Sequence, residues 1–180
     1  MMLSLIYSKD IESSVKNGGY FMGKWLELAS IICALKLNLN LSKLEDRLIL
    51  QKIAYLTQKL NLDLGYDFRW YTYGPYSRSL AYDTNKILTI IESKCKESKP
   101  IDKRVLDKLD NIINIFRKIA KEENTKLSKV LEIAASITML RYDVYPQIKD
   151  PVLEIVKRKG VSKDFVIKVY ETLLKYELLK

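Results

Sequence analysis

The sequence contains no histidine. That absence removes the Ser-His-Asp triad, the Cys-His dyad, the H-E-x-x-H zinc motif and every imidazole proton shuttle. Cysteine is nearly absent too. Cys33 and Cys95 lie far apart in the chain with no C-x-x-C spacing, so they do not compose a thiolate metal site. Both fall in stretches that read as helix, which predicts buried free thiols in a reducing cytosol. With 4 Pro and 6 Gly, collagen-like and low-complexity architectures are excluded. No apolar run approaches the ~20 residues that span a bilayer, and the start Met1–Tyr7 is too short for a signal h-region. A cytoplasmic location and no membrane partner are the expectation.

What is present is a basic globular composition. Lys and Arg number 31 against 22 acidic residues, a formal net charge of +9 in 180 residues. That range makes nucleic acid a candidate partner, although Lys-rich, Ile-rich composition is also what high growth temperature produces. The length predicts one domain over residues 1–180, with an N-terminal half at 24–96 and a helical C-terminal half at 102–180.

Periodicity assigns the elements. After a glycine-containing lead at Lys16–Gly19, Trp25, Leu28, Ala29, Ile32, Cys33 and Leu35 recur at helical spacing. Ser42-Lys43-Leu44-Glu45 has the form of a capping box, opening a second helix that carries Leu44, Leu48, Ile49, Ile53, Leu56 and Leu60. The period then becomes two. Tyr66, Phe68 and Trp70 alternate with Asp67, Arg69, Tyr71 and Tyr73, which predicts one strand over 66–73 with a core face and an outer face, ended by Gly74-Pro75. Ser77 caps the next helix, with Leu80, Ile87, Leu88 and Ile91 inward.

Asp102 opens the longest helix, along Val105, Leu109, Ile112, Phe116 and Ile119. Leu127 to Leu140 make the next, where the small residues Ala134-Ala135-Ser136 invite close approach by another helix. Asp150-Pro151 is a cap with proline at the first helical position, Gly160 is a left-handed stop and Ser162 caps the last helix.

Leu50-Gln51-Lys52-Ile53-Ala54-Tyr55-Leu56, then Phe68-Arg69-Trp70-Tyr71-Thr72-Tyr73-Gly74-Pro75-Tyr76-Ser77, resembles the YwgA-type family of uncharacterised bacterial and archaeal proteins. More loosely it resembles the Panacea antitoxin domain, with its K-x-x-Y and G-P elements. Leu131–Ile137 and Lys159–Ser162 extend the likeness over residues 24 to 178, although Lys159-Gly160 stands where the family pattern has lysine-proline. The resemblance implies a mostly helical, winged-helix-like fold and a role as a regulator or a toxin-neutralising protein. None of its motifs is catalytic.

The function classes follow from three constellations. The helix-turn-helix form around Gly160 gathers Lys157, Arg158, Lys159, Lys163 and Lys168, a candidate surface for double-stranded DNA. A second winged-helix candidate uses Lys43, Arg47, Lys52 and Lys59 as exposed cations. Arg69, Tyr71, Tyr73 and Tyr76 on the outer strand face and the YGPYS turn are a candidate surface for a protein partner, as in an antitoxin-like module. Catalysis ranks third. Glu92-Ser93-Lys94 and Glu97-Ser98-Lys99 have the E-x-K form of a metal-dependent nuclease but sit at a helix end rather than on a strand. The expectation is a mainly α, non-enzymatic regulatory or adaptor module that needs no cofactor and no metal and is compatible with a homodimer.

Overall fold

The computed structural model describes residues 23–93, 95–96 and 99–179. The lead at Lys16–Gly19, together with Lys94, Glu97 and Ser98 of the two E-x-K fragments, lies outside the described residues. Seven helices and one small sheet follow in chain order: α1 (Lys24–Ala34), α2 (Leu44–Lys59), β1 (Arg69–Tyr71), β2 (Gly74–Tyr76), α3 (Arg78–Glu92), α4 (Lys103–Glu122), α5 (Leu127–Tyr142), α6 (Pro151–Lys159) and α7 (Lys163–Lys175). The protein is therefore mainly α with a two-stranded antiparallel element.

α5 is the axis of the fold. Apart from Lys129, every residue from Ser128 to Leu140 is buried, because α2, α4, α6, α7 and β2 all pack around it. A helix buried on all sides has no polar stripe, which matches its run of Ala, Ile and Leu. α1 and α3 pair with one another beside this axis. The apolar rows read from the sequence face inward: Leu28 and Ile32 on α1, Ile53 and Leu56 on α2, Leu109, Ile112 and Phe116 on α4, and Phe165, Val166 and Val169 on α7 are all buried.

Most caps form as their residue types dictate. Ser77 Oγ accepts from Leu80 N, Asp102 Oδ1 from Arg104 N, Asp150 Oδ1 from Leu153 N and Ser162 Oγ from Phe165 N. Gly160 ends α6 in the left-handed region at φ 61°. The capping box at Ser42 does not form. Lys43 occupies the N-cap of α2, and the Ser42 hydroxyl donates instead to Asn40 Oδ1. Ser42 lies one residue too early, and the Asn40 turn takes its hydroxyl.

Two expectations about the strand and the cysteines are corrected. The strand over 66–73 shortens to 69–71, and Gly74-Pro75 does not end it but begins the second strand, with Arg69 opposite Tyr76 and Tyr71 opposite Gly74. The turn is Thr72-Tyr73, closed by Gly74 at φ 81°, so the glycine's positive φ serves the hairpin it closes. Cys33 and Cys95 are not free thiols. They form a disulfide between the end of α1 and the segment after α3, where Cys95 lies beyond the helix rather than within it. Disulfides persist in oxidising compartments and inside hyperthermophiles, so a reducing cytosol does not follow from these cysteines.

Candidate functional site

The hairpin has an outer face and an anchored back. Outward, Arg69, Tyr71, Tyr73 and Tyr76 are all exposed, with Tyr71 at 64%, and the Tyr71 and Tyr76 rings lie 5.6 Å apart as a diagonal cross-strand pair. The alternation read from the sequence thus holds. On the other face Tyr66 is buried and Phe68 meets Tyr55 edge to face at 5.2 Å. Trp70 is only half-buried, capped by the Arg158 guanidinium at 5.2 Å and by the Lys159 ammonium at 5.8 Å from its ring centre.

The back of the hairpin is held by buried polar groups from three helices. Gln51 of α2 donates to Ser77 O and accepts from Ser77 N. One turn-face away, Lys52, only 1% exposed, donates to Pro75 O at 2.6 Å. Proline has no N–H to give β1, so Trp70 and Pro75 are a pair without ladder hydrogen bonds. The Pro75 carbonyl points away from the ladder toward the lysine. Lys159, at the end of α6, donates to Thr72 O at 2.7 Å and pairs with Glu132 of α5 at 2.7 Å. Their side chains are 7% and 6% exposed. Lys129 approaches the other Glu132 oxygen at 3.4 Å.

This is a charge cluster in a dry place. Burial pulls the Lys52 ammonium down to about 8; the Glu132 carboxylate opposes that shift and the Lys159 ammonium adds to it. Gly74 sits against α5 so closely that a Cβ there would overlap Ser136 Oγ. The small residues of α5 therefore admit a strand, not the helix their size suggested. At the lower end of the cluster the Tyr55 hydroxyl donates to Asp143 Oδ2 and Lys59 to Asp143 Oδ1. Burial and then this bond hold the tyrosine well above its usual ionisation range.

Lys52, Tyr55, Gly74 and Pro75, the residues that carried the family resemblance, converge on this anchor. Lys52 is accordingly corrected: it is not an exposed cation of a winged helix but a buried tie. Of its three companions, Lys43 is exposed, Arg47 donates to Leu41 O and Ser42 O, and Lys59 pairs with Asp143.

The five cations around Gly160 do not share one free face. Lys159 is corrected from surface residue to buried ion pair, because Glu132 and the Thr72 carbonyl draw it under Trp70. Arg158 pairs with Glu154 at 2.5 Å, and Lys168 contacts Glu122 and Glu123 across from α7. Lys157 and Lys163 are exposed. Among the described residues no three Cys, Asp or Glu side chains group as metal ligands would, and no helix is long and apolar enough to cross a membrane.

Sequence reasoning did not find Glu132 or Gln51. Both lay inside stretches that carried the family resemblance, and their own signal was a polar residue beside apolar ones, in Leu131-Glu132-Ile133-Ala134 and after Leu50. No family model, no curated protein and no solved structure matches the chain.

Proposed function

We propose that the chain is a non-enzymatic protein-interaction module that docks its partner on the outer face of the β1–β2 hairpin. One observation carries the reading: a hairpin fixed from behind by Gln51, Lys52 and Lys159 presents Tyr71, Tyr73 and Tyr76 beside Arg69. Tyrosines give large contact area at low entropic cost, and anchoring them in advance removes part of the ordering penalty of binding. Arg69 on this face and the net charge of +9 favour a protein segment that offers carboxylates between apolar side chains. Duplex DNA is the competing partner. It is disfavoured because three of the five cations around Gly160 are already matched by carboxylates.

The test is selection of a displayed acidic, aromatic-containing peptide library on the full chain, with counter-selection on the Tyr71→Ser, Tyr73→Ser, Tyr76→Ser variant. Peptides that discriminate between the two, and whose binding is lost in Arg69→Glu, support the reading. Failure to obtain any, together with salt-sensitive duplex DNA binding that Lys157→Glu and Lys163→Glu abolish, replaces it with the DNA-binding one.

A further inference from the structure

A second feature of the molecule lies away from the hairpin. The Cys33–Cys95 disulfide borders an open cleft of about 460 Å³, lined also by Ser30, Lys99, Lys103 and Asp107. Both cysteines are half-buried and line the cleft, Cys33 with another part of its surface packed against the core. Structural disulfides of stable domains are usually shielded; exposed ones are those that exchange. Two ammonium groups and one carboxylate charge the cleft, and Asp107 is occupied by Lys103 at 2.6 Å. The balance attracts an anionic thiol.

What the bond restrains is equally local. α1 and α3 pack against each other, and buried apolar residues such as Leu28, Ile32, Ile87 and Ile90, none of them a cysteine, lie on these two helices. The segment between α3 and α4 is different. Across its described residues the disulfide holds Cys95, whose N–H also donates to Ile90 O at 3.1 Å, Lys99 N–H donates to Ser30 Oγ at 2.7 Å, and Ile101 packs against the core at the far end. Cys95 is moreover held at φ 62°, a left-handed conformation that disfavours a residue with a Cβ. Opening the bond lets Cys95 leave it.

We propose that Cys33–Cys95 is a thiol-exchange site for a small anionic thiol, and that its opening releases the α3–α4 segment while the helical body stays folded. In the first step a thiolate attacks one sulfur of the pair, forming a mixed disulfide and expelling the other cysteine as thiolate. In the second, another thiolate attacks the added sulfur and expels the remaining cysteine. Two thiols are oxidised to one disulfide, the protein disulfide takes up two electrons, and each cysteine thiolate takes a proton from water.

The experiment incubates the folded, oxidised chain with millimolar reduced glutathione, an anionic thiol, or with cysteamine, a cationic one. Alkylation and mass spectrometry follow opening, and hydrogen exchange follows structure. Opening without denaturant is expected, faster with glutathione than with cysteamine at equal thiolate concentration, and at least threefold slower with glutathione in Lys99→Gln, Lys103→Gln. Raised exchange confined to the α3–α4 segment is expected in the reduced chain and equally in the Cys33→Ser, Cys95→Ser variant. A bond that opens only in denaturant, opening with no preference between the two thiols, or reduction that raises exchange throughout the helices would each overturn the proposal.

Discussion

The hairpin anchor and the surface of α6 both join basic side chains to glutamates, yet they do opposite work. On α6, Arg158 and Glu154 are 44% and 27% exposed, and such contacts typically contribute about 0–1 kcal/mol. At the anchor, Lys159 and Glu132 are nearly closed to water, Lys52 lies beside them, and two of the three charged groups also serve backbone carbonyls of the hairpin. Desolvation there offsets most of the Coulombic attraction, so the cluster's contribution is one of position. It fixes where a three-residue strand pair sits, which two such strands cannot do alone.

Removing one partner breaks that comparison most severely. Glu132→Ala leaves Lys159 and Lys52 buried without a counter-charge and is expected to cost about 3–5 kcal/mol, as for a buried pair robbed of one member. Glu154→Ala, the equivalent change in the helical pair, is expected to cost less than about 1 kcal/mol. Urea denaturation of the two variants checks the order, and equal losses would mean that the anchor is no more than another surface pair.

Gly74→Ala is next. The residue must keep φ 81° and its new Cβ overlaps Ser136 Oγ, so the strain of a left-handed alanine and local overpacking add to about 2–4 kcal/mol. Ser136→Ala in the same chain removes the overlapping atom, a hydroxyl that is buried without a hydrogen-bond partner, and is expected to recover part of the loss. Thermal unfolding of the single and double variants separates the two contributions.

These residues also show what was legible in the sequence. Helices announce themselves by local regularities: α1 to α5 and α7 each had an apolar row, α6 was marked by its cap and stop alone, and Ser77, Asp102, Asp150, Gly160 and Ser162 marked boundaries by side-chain chemistry. The outer face of the hairpin was legible for the same reason, since alternation at Arg69 and Tyr71 is a local pattern. Its second strand was not, because Gly74-Pro75 carries the turn chemistry of an end and only the pairing of Tyr71 with Gly74 and of Arg69 with Tyr76 makes it a strand. The anchor was the least legible. Lys52 looks like any other helix lysine until the fold brings Pro75 and Lys159 to it, contacts that span 23 and 87 residues in the case of Lys52 to Pro75 and Lys159 to Thr72. The disulfide was missed likewise, because two cysteines distant in the chain carry no spacing signal.

The pH dependence sharpens the comparison from the side of proton linkage. Lys52 titrates at about 8 when folded and at 10.5 when not, so between these values the unfolded chain binds more protons and stability rises with pH. Below pH 8 the full cost of burying the charge is present; by pH 10 about 2–3 kcal/mol of it has been relieved. At still higher pH the gain reverses, since Tyr55 and Tyr66 resist ionisation in the fold and ionise freely in the unfolded chain. Urea midpoints from pH 7 to 10 are expected to climb for the native sequence and to stay flat for Lys52→Met. A flat native profile would show that Lys52 is not desolvated.

The smallest effects belong to the surface that the two functional readings dispute. Lys157 and Lys163 are exposed and have no role in the core, and Arg69 projects from the outer hairpin face. Replacing each with Gln is expected to change stability by less than about 0.5 kcal/mol, since substitution of an exposed side chain away from caps and pairs rarely does more. Their value lies in that indifference. A variant that folds as the native chain does isolates binding from folding, so loss of a peptide ligand in Arg69→Gln reports on the hairpin face alone, and loss of DNA binding in Lys157→Gln or Lys163→Gln reports on the α6–α7 turn alone. Calorimetric melting temperatures within about 2 °C of the native value establish the condition for a chain of this length. A larger drop for Arg69→Gln would place that side chain in the anchor with Lys159, and the contrast between an outward face and a buried back would no longer describe the hairpin.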